Sequence, residues 1–287
     1  MAFIDDKSPH VIPFITSLLP SHPTPRPLII GLNGLQGIGK TTLVTALAST
    51  LSTRHRTLVL SIDEFYLRHD AQLALAASQP TNALIQNRGE PSTHDLPLLH
   101  SVFSDLVAGR ETKIPRYDKA AFSGRGDRLP ESEWLVVNAP DEPKVEIVIL
   151  EGWCVGFRSL SLAELQEKWK GESLTLKHHS VEDLAFVNEA LKGYDVVTDL
   201  FDAFVHIDSE DLSYVYAWRQ EQEAKLREER GTGMTDEEVV TFVDGYFPGY
   251  ELYSEGVRKG VLGKGKEGRQ LRLVVGKDRR VKEKYII

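Results

Sequence analysis

The sequence offers a single cysteine, Cys154, so no disulfide can close within the chain. That fits a reducing compartment. Long apolar runs are missing as well, and none has the length to span a bilayer. The opening Met1-Ala2-Phe3-Ile4-Asp5-Asp6-Lys7 carries acid early. It lacks both the apolar core of a secretory signal and the arginine-rich, acid-poor pattern of an organelle transit peptide. The expectation is a cytoplasmic protein without a membrane partner. Net positive charge is also lacking. Lys and Arg number 34 against 42 Asp and Glu, a balance of −8 that argues against general nucleic-acid binding. There is no internal repeat and no long low-complexity tract. What remains is an ordinary globular composition, 41% apolar and 26% charged, in 287 residues. That length can bury a full core, as one large α/β domain or as two small ones.

Against these absences one stretch stands out. Gly34-Leu35-Gln36-Gly37-Ile38-Gly39-Lys40-Thr41, followed by Thr42, fits the phosphate-binding loop G-x-x-x-x-G-K-[ST]. Glycines let backbone N–H groups surround phosphate oxygens without a side chain in the way. Lys40 carries the charge for the β- and γ-phosphates of ATP, and the Thr41 hydroxyl suits Mg²⁺. The context agrees. Pro27 opens an apolar run through Leu32 that reads as a buried parallel strand, and Thr42 to Ala48 has helical spacing. Strand, loop and helix come in the required order, with a helix N-terminus at the phosphate site.

A short helix from His10 to Leu19 and a proline-broken linker precede the loop. Downstream, Thr57 to Ile62 reads as a second strand ending at Asp63-Glu64-Phe65-Tyr66. Ligands in open parallel sheets bind at the carboxyl ends of strands, which puts Asp63 on the same edge as the loop. Ser92 or Thr93 is placed to cap a helix running to Gly109, with Thr93-His94-Asp95 in its first turn. Spacing alone gives Asp95 a helix-dipole role and leaves His94 on the surface. Two cationic clusters follow, Lys113 to Lys119 and Phe122 to Arg128. They read either as a clamp for an anionic group or as a solvated loop, and their adjacency favours the clamp. Trp134 to Asn138 suggests a small edge strand. Val145 to Gly152 is an apolar strand ending in an acid, Glu151, which is the Walker B pattern for Mg²⁺.

In the second half, helices are expected near Leu162 to Trp169 and Val181 to Leu191, and a strand over Phe201 to Ile207. Asp208 and Ser209 are then placed to cap a long charged helix that ends at Gly231. Thr235 to Glu238 is a capping box opening a further helix, which Pro248 helps to stop. The segment after Gly256 is basic and glycine-rich and suggests a terminal hairpin. It reads either as a border to the adenine or as a sticky basic tail.

Taken in order, several motifs resemble the D-glycerate 3-kinase family, whose fungal relatives are often described only as ATP-dependent kinases. They are the phosphate loop, Asp63-Glu64-Phe65-Tyr66, Thr93-His94-Asp95, Pro115-Arg116-Tyr117-Asp118-Lys119, Ser123 to Arg128, Glu151-Gly152-Trp153, Val215 to Arg219 and Gly233 to Val239. Uridine kinase, pantothenate kinase and phosphoribulokinase are more distantly similar. The resemblance runs from the first strand to about Tyr253. It departs from the family at Ser92, where glycine is frequent, at Cys154-Val155, where the plant proteins tend to have Met-Leu, and in the basic tail.

The resemblance implies one P-loop NTPase domain over 1–287, a mostly parallel sheet flanked by helices, with a lid over 209–235. It implies transfer from ATP to the 3-hydroxyl of D-glycerate. Lys40, Asp63, Arg128 and Arg219 are the implied catalytic residues, with Asp63 as general base. Tyr66, His94, Asp95, Arg116 and Lys119 are implied for the acceptor, and Thr41, Asp63 and Glu151 for Mg²⁺. The same fold could serve another hydroxyl acceptor such as pantothenate, a nucleoside or a sugar, since fold does not fix the substrate. A nucleotide-dependent switch without an acceptor is the reading from a different class. Asp63 and the cationic loop argue against it.

Overall fold

The computed structural model describes residues 5–23 and 25–287. The main sheet is built on β1 (Leu28–Gly34), which is buried along its whole length. Strands buried on both faces read as unbroken apolar runs, and both β1 and β7 show that pattern. Chain order gives β2 (Thr57–Ser61), β3 (Thr112–Ile114), β4 (Tyr117–Asp118), β5 (Asp127–Arg128), β6 (Leu135–Val137), β7 (Ile147–Gly152), β8 (Ala203–Ser209), β9 (Gln270–Val275) and β10 (Val281–Ile286). Six of these make one sheet in the order β10-β9-β8-β1-β7-β2. All its pairings are parallel except that of β10 with β9. The chain leaves β1 for β2, returns to fill the gap with β7, and then crosses to β8 on the other side. That reversal places a crevice at the carboxyl ends of β1, β7 and β2.

Helices pack around this sheet: α1 (Ser8–Leu18), α2 (Lys40–Leu51), α3 (His69–Ser78), α4 (Leu96–Val107), α5 (Leu162–Lys170), α6 (Val181–Ala190), α7 (Tyr214–Arg230), α8 (Asp236–Asp244) and α9 (Phe247–Lys259). The capping box at Thr235 and Glu238 is formed in both directions. The terminal hairpin is present, and β9 joins it to the main sheet through β8.

The small edge strand expected over 134–138 is β6, which pairs with β3 in a separate two-stranded sheet. Three local expectations are corrected. The cap of α4 is Asp95, whose side chain accepts from the Leu98 N–H, rather than Ser92 or Thr93. Asp208 and Ser209 belong to β8, so α7 starts only at Tyr214. Pro248 does not stop a helix; it sits in the first turn of α9, where its missing N–H has no helical partner to lose.

Asp208 shows why the strand wins there. Its side chain is fully buried and accepts from Arg258 Nε at 2.8 Å and Arg272 Nε at 2.8 Å. Burial pushes its pKa up, but the Arg258 hydrogen bond and the neighbouring charges outweigh burial and hold the carboxyl below its ordinary value. Breaking such a buried pair leaves guanidinium charge without a counterion, at about 3–5 kcal/mol. The Asp208→Asn variant should therefore lose stability on that scale in denaturant unfolding at pH 7. A depressed native pKa gives stability that is complete above the unfolded value, near 3.8, and lost as pH falls through the lower native one. Wild type should accordingly lose more stability than Asp208→Asn between pH 5 and acid conditions. Equal losses would remove this assignment.

Candidate active site

The phosphate loop leaves β1 at Gly34 and enters α2 at Lys40. Gly37 and Gly39 take φ values of +76° and +103°, a region that favours glycine. A Cβ on Gly37 would stand 2.7 Å from Trp218 Cβ, so α7 packs directly over the loop. Leu35 and Ile38 are buried and pack the loop onto the core. The Gln36 N–H is already donated to Tyr250 Oη at 3.2 Å. Lys40 Nζ donates to the carbonyls of Gly34 at 2.6 Å and Leu35 at 3.0 Å. Burial pulls the Lys40 pKa down, opposed by the carboxylates of Glu151 and Asp63. Thr41 and Thr42 are exposed in the first turn of α2.

Register explains the convergence. Glu151 on β7 stands level with Leu32 of β1 and Ser61 of β2. Asp63 lies just past β2 in a tight turn over Ile62–Phe65, where Ser61 Oγ accepts its N–H at 3.3 Å. Asp63, Glu151 and the Lys40 ammonium thus share one sheet edge. No group of three or more His, Cys, Asp or Glu side chains suited to a metal occurs among the described residues. Two carboxylates, a threonine hydroxyl and nucleotide phosphates are nevertheless the donor set that Mg²⁺ takes, so the residues fit that ion.

Asp63 receives the Lys119 ammonium at 2.5 Å, with Tyr66 close by. Burial works to raise its pKa, but Lys119 outweighs burial and holds the carboxyl below the ordinary range. Glu64 turns the other way. It accepts the Tyr117 N–H at 2.6 Å and anchors the β4–β5 hairpin that carries Lys119. Phe65 is core.

His94 is not on the surface. It is 3% exposed and stacks on Tyr66 with ring centroids 4.6 Å apart. Two backbone hydrogen bonds, Leu67 N–H to Thr93 O at 2.9 Å and Asp95 N–H to Phe65 O at 2.7 Å, stitch the two motifs together. Desolvation lowers the His94 pKa to about 4, against the pull of Asp63, so the ring is neutral at pH 7. Asp95 and Arg128 form a 2.9 Å ion pair, and Arg128 Nη2 also donates to Tyr66 O at 2.9 Å. Asp95 caps α4 as well, so this pair is spent on framing the pocket. Arg219, on α7, bonds Glu223 at 2.6 Å and Gln222 at 2.8 Å and lies over the Phe242 ring. Arg116 stands exposed at the base of the hairpin.

Sequence reasoning missed several contributors. Arg88 faces the rings of Tyr66 and Tyr117 and donates to the carbonyls of Gly124 and Lys119, bracing the cationic loop. Glu90 is 3% exposed, and burial pushes its pKa well up; the Trp153 indole N–H bonds the carbonyl of its neighbour Gly89. Its nearness in sequence to Thr93-His94-Asp95 is the signal that could have flagged both. Arg279, in the terminal hairpin, donates to Gly37 O at 2.8 Å across 242 positions, which no local pattern reveals.

The departures at Ser92 and Cys154-Val155 also find an account. Cys154 and Val155 are core residues. Ser92 takes φ +97°, where glycine is favoured, and its buried Oγ has no partner among the described residues. Positive φ at a non-glycine costs about 1–3 kcal/mol, against about 0.5–1 kcal/mol of entropy for glycine. Ser92→Gly should therefore raise unfolding stability by about 1 kcal/mol in urea titration. A clear loss would mean that the serine makes a compensating bond.

Comparison with known proteins completes the description. No family model matches the chain. An uncharacterized kinase of Schizosaccharomyces pombe is 38% identical over 250 residues, 85% of this chain and 87% of that one. The chloroplastic D-glycerate 3-kinase of Arabidopsis thaliana is 38% identical over 79% of this chain and 48% of its own length, so the chain spans about half of that relative. A solved structure, D-glycerate 3-kinase from Cryptococcus neoformans, superposes with a TM-score of 0.88 at 32% identity, covering 99% of this chain and 100% of that one.

Proposed function

The chain belongs to the D-glycerate 3-kinase family and is an ATP-dependent phosphotransferase with an alcohol acceptor, and we propose on that premise that it phosphorylates D-glycerate to 3-phosphoglycerate. The observation that carries the proposal is the Lys119–Asp63 pair at 2.5 Å, on the sheet edge that also holds Lys40. A phosphoryl acceptor bearing its own carboxylate has a cation waiting beside the group that would accept its hydroxyl proton.

In this reading the loop amides and Lys40 hold the β- and γ-phosphates. Mg²⁺ would rest on Thr41 with Glu151 or Asp63, and when bound it supplies charge neutralisation between phosphate oxygens. The acceptor carboxylate draws the Lys119 ammonium toward itself. That releases Asp63, whose affinity for a proton rises once its counterion leaves. Asp63 then takes the proton of the attacking hydroxyl as the new P–O bond forms and the bond from the γ-phosphorus to the β–γ bridging oxygen breaks, releasing ADP. Arg116 and His94 are the remaining contacts for the acceptor. Asp95 and Arg128 act as a frame for Tyr66 and the pocket floor, and Arg219 carries charge toward the γ-phosphate from α7. Positioning and charge supply most of the acceleration.

We infer a lid over 209–235. Gly231 ends α7 at φ +70°, and Glu223 joins the two limbs by accepting from Arg219 and from the Met234 N–H at 3.2 Å. ATP analogues should slow backbone hydrogen exchange over 225–235; unchanged exchange on saturation would leave the segment a static helix and turn.

The acceptor assignment is tested by ADP release from the purified protein against hydroxy acids, polyols, pantothenate and nucleosides. D-glycerate should give the highest kcat/KM. Asp63→Asn should lower kcat by about 10²–10⁴ with ATP affinity retained. Lys119→Ala should raise the acceptor KM about tenfold or more. Full activity of Asp63→Asn alongside an inactive Lys40→Ala would remove the base assignment.

A further inference from the structure

Tyr194 lies 100 positions from His94, in the turn Leu191–Tyr194, and no motif marks it. Its buried hydroxyl meets two groups. One is His94 Nδ1 at 2.6 Å and the other is the Ser92 backbone N–H at 3.4 Å. The Ser92 N–H can only donate, so Tyr194 Oη accepts from it. The single phenolic proton then has one acceptor in reach, the His94 Nδ1. In the opposite arrangement Nδ1–H would donate to Oη, and the phenolic proton would be buried with no acceptor, a state that native interiors avoid. The imidazole proton therefore belongs on Nε2. That atom is buried and has no partner among the described residues. The ring carrying it is stacked on Tyr66, which lies close to Asp63. An unspent buried N–H on the ring stacked against Tyr66 is a donor that a ligand oxygen can satisfy once the site opens to it.

We propose that Tyr194 is a positioning residue that fixes His94 as the Nε2–H tautomer, and that this N–H donates to an oxygen of a small hydroxy-acid acceptor. The second half rests on the kinase reading above; the tautomer does not. His94 is a fixed neutral donor in this scheme, and its proton stays in place through turnover. The hydroxyl proton goes to Asp63. The arrangement suits an oxygen that must be recognised without adding a further cation to a pocket that already holds Lys119.

Histidine-selective ¹⁵N labelling tests it directly, since imidazole ¹⁵N shifts distinguish a protonated from a bare nitrogen. The His94 signals are identified by their loss in His94→Gln. At pH 7 the wild type should show Nε2 protonated and Nδ1 bare and hydrogen-bonded, and D-glycerate added with ADP should shift Nε2. Tyr194→Phe should populate both tautomers. It should also raise the acceptor KM about tenfold, with the ATP KM within twofold of wild type. A wild-type ring protonated at Nδ1, or at both nitrogens, overturns the tautomer, and this needs no variant to fold. Mixed tautomers in Tyr194→Phe with an unchanged acceptor KM overturn the donor role. Failure of every acceptor to turn over would sink the kinase reading while the ¹⁵N result still decides the tautomer.

Discussion

The burial of one ammonium is the constraint on which the rest of the structure depends. Lys40 stands half-buried among backbone at the end of β1, where water solvates it only in part, and an ion in that position is disfavoured without compensation. The protein compensates in two ways. Carbonyls of Gly34 and Leu35 accept from Nζ, and Glu151 and Asp63 bring opposite charge along the same edge. Only a parallel sheet with its switch at β1 delivers those two carboxylates from two different strands to one lysine. The phosphate-loop lysine and the carboxylate proposed as the base are thus parts of one electrostatic arrangement.

The loop is also held from above. Trp218 of α7 leaves no room for a side chain on Gly37, and its indole N–H donates to Lys277 O at 2.8 Å. Arg279 donates to Gly37 O, pairs with Glu221 of α7 at 2.6 Å and lies over the Trp218 ring. Lys7 in turn donates to Arg279 O at 2.7 Å. Segments from both ends of the chain therefore meet on the phosphate loop. Two basic residues of the terminal hairpin thus have defined places: Arg272 serves Asp208, and Arg279 serves the loop and α7.

Legibility followed the range of the interactions. The phosphate loop, the strand ends at Asp63 and Glu151, the Thr235 capping box and the terminal hairpin were readable because each is written within a few consecutive residues. Ser92 or Thr93 was the expected cap of α4, but Asp95 takes that place while also pairing with Arg128, and only the hairpin that brings Arg128 back explains the choice. Local spacing put His94 at the surface; stacking on Tyr66 and the bond to Tyr194 bury it. Pro248 reads as a stop when the helix before it is considered and as a start when α9 is known. Asp208 looked like a cap because its two arginine partners lie 50 and 64 positions away. The roles of Arg88, Tyr194 and Arg279 arise from the same kind of distant pairing.

In the proposed reaction the Lys119–Asp63 pair would make acceptor selectivity a matter of charge rather than shape. Asp63 is the more sheltered partner and Lys119 the more exposed, with side chains 26% and 59% accessible. An exposed lysine is free to change partners at little cost, while the sheltered carboxylate stays where β2 puts it. A neutral polyol entering this pocket leaves the pair intact, and Asp63 remains a weak base. An acceptor with its own carboxylate competes for the ammonium, and as Lys119 moves the base becomes stronger beside the hydroxyl that has to lose its proton. Recognition of the acid and activation of the alcohol are then the same displacement, which binds the choice of substrate to the chemistry it undergoes.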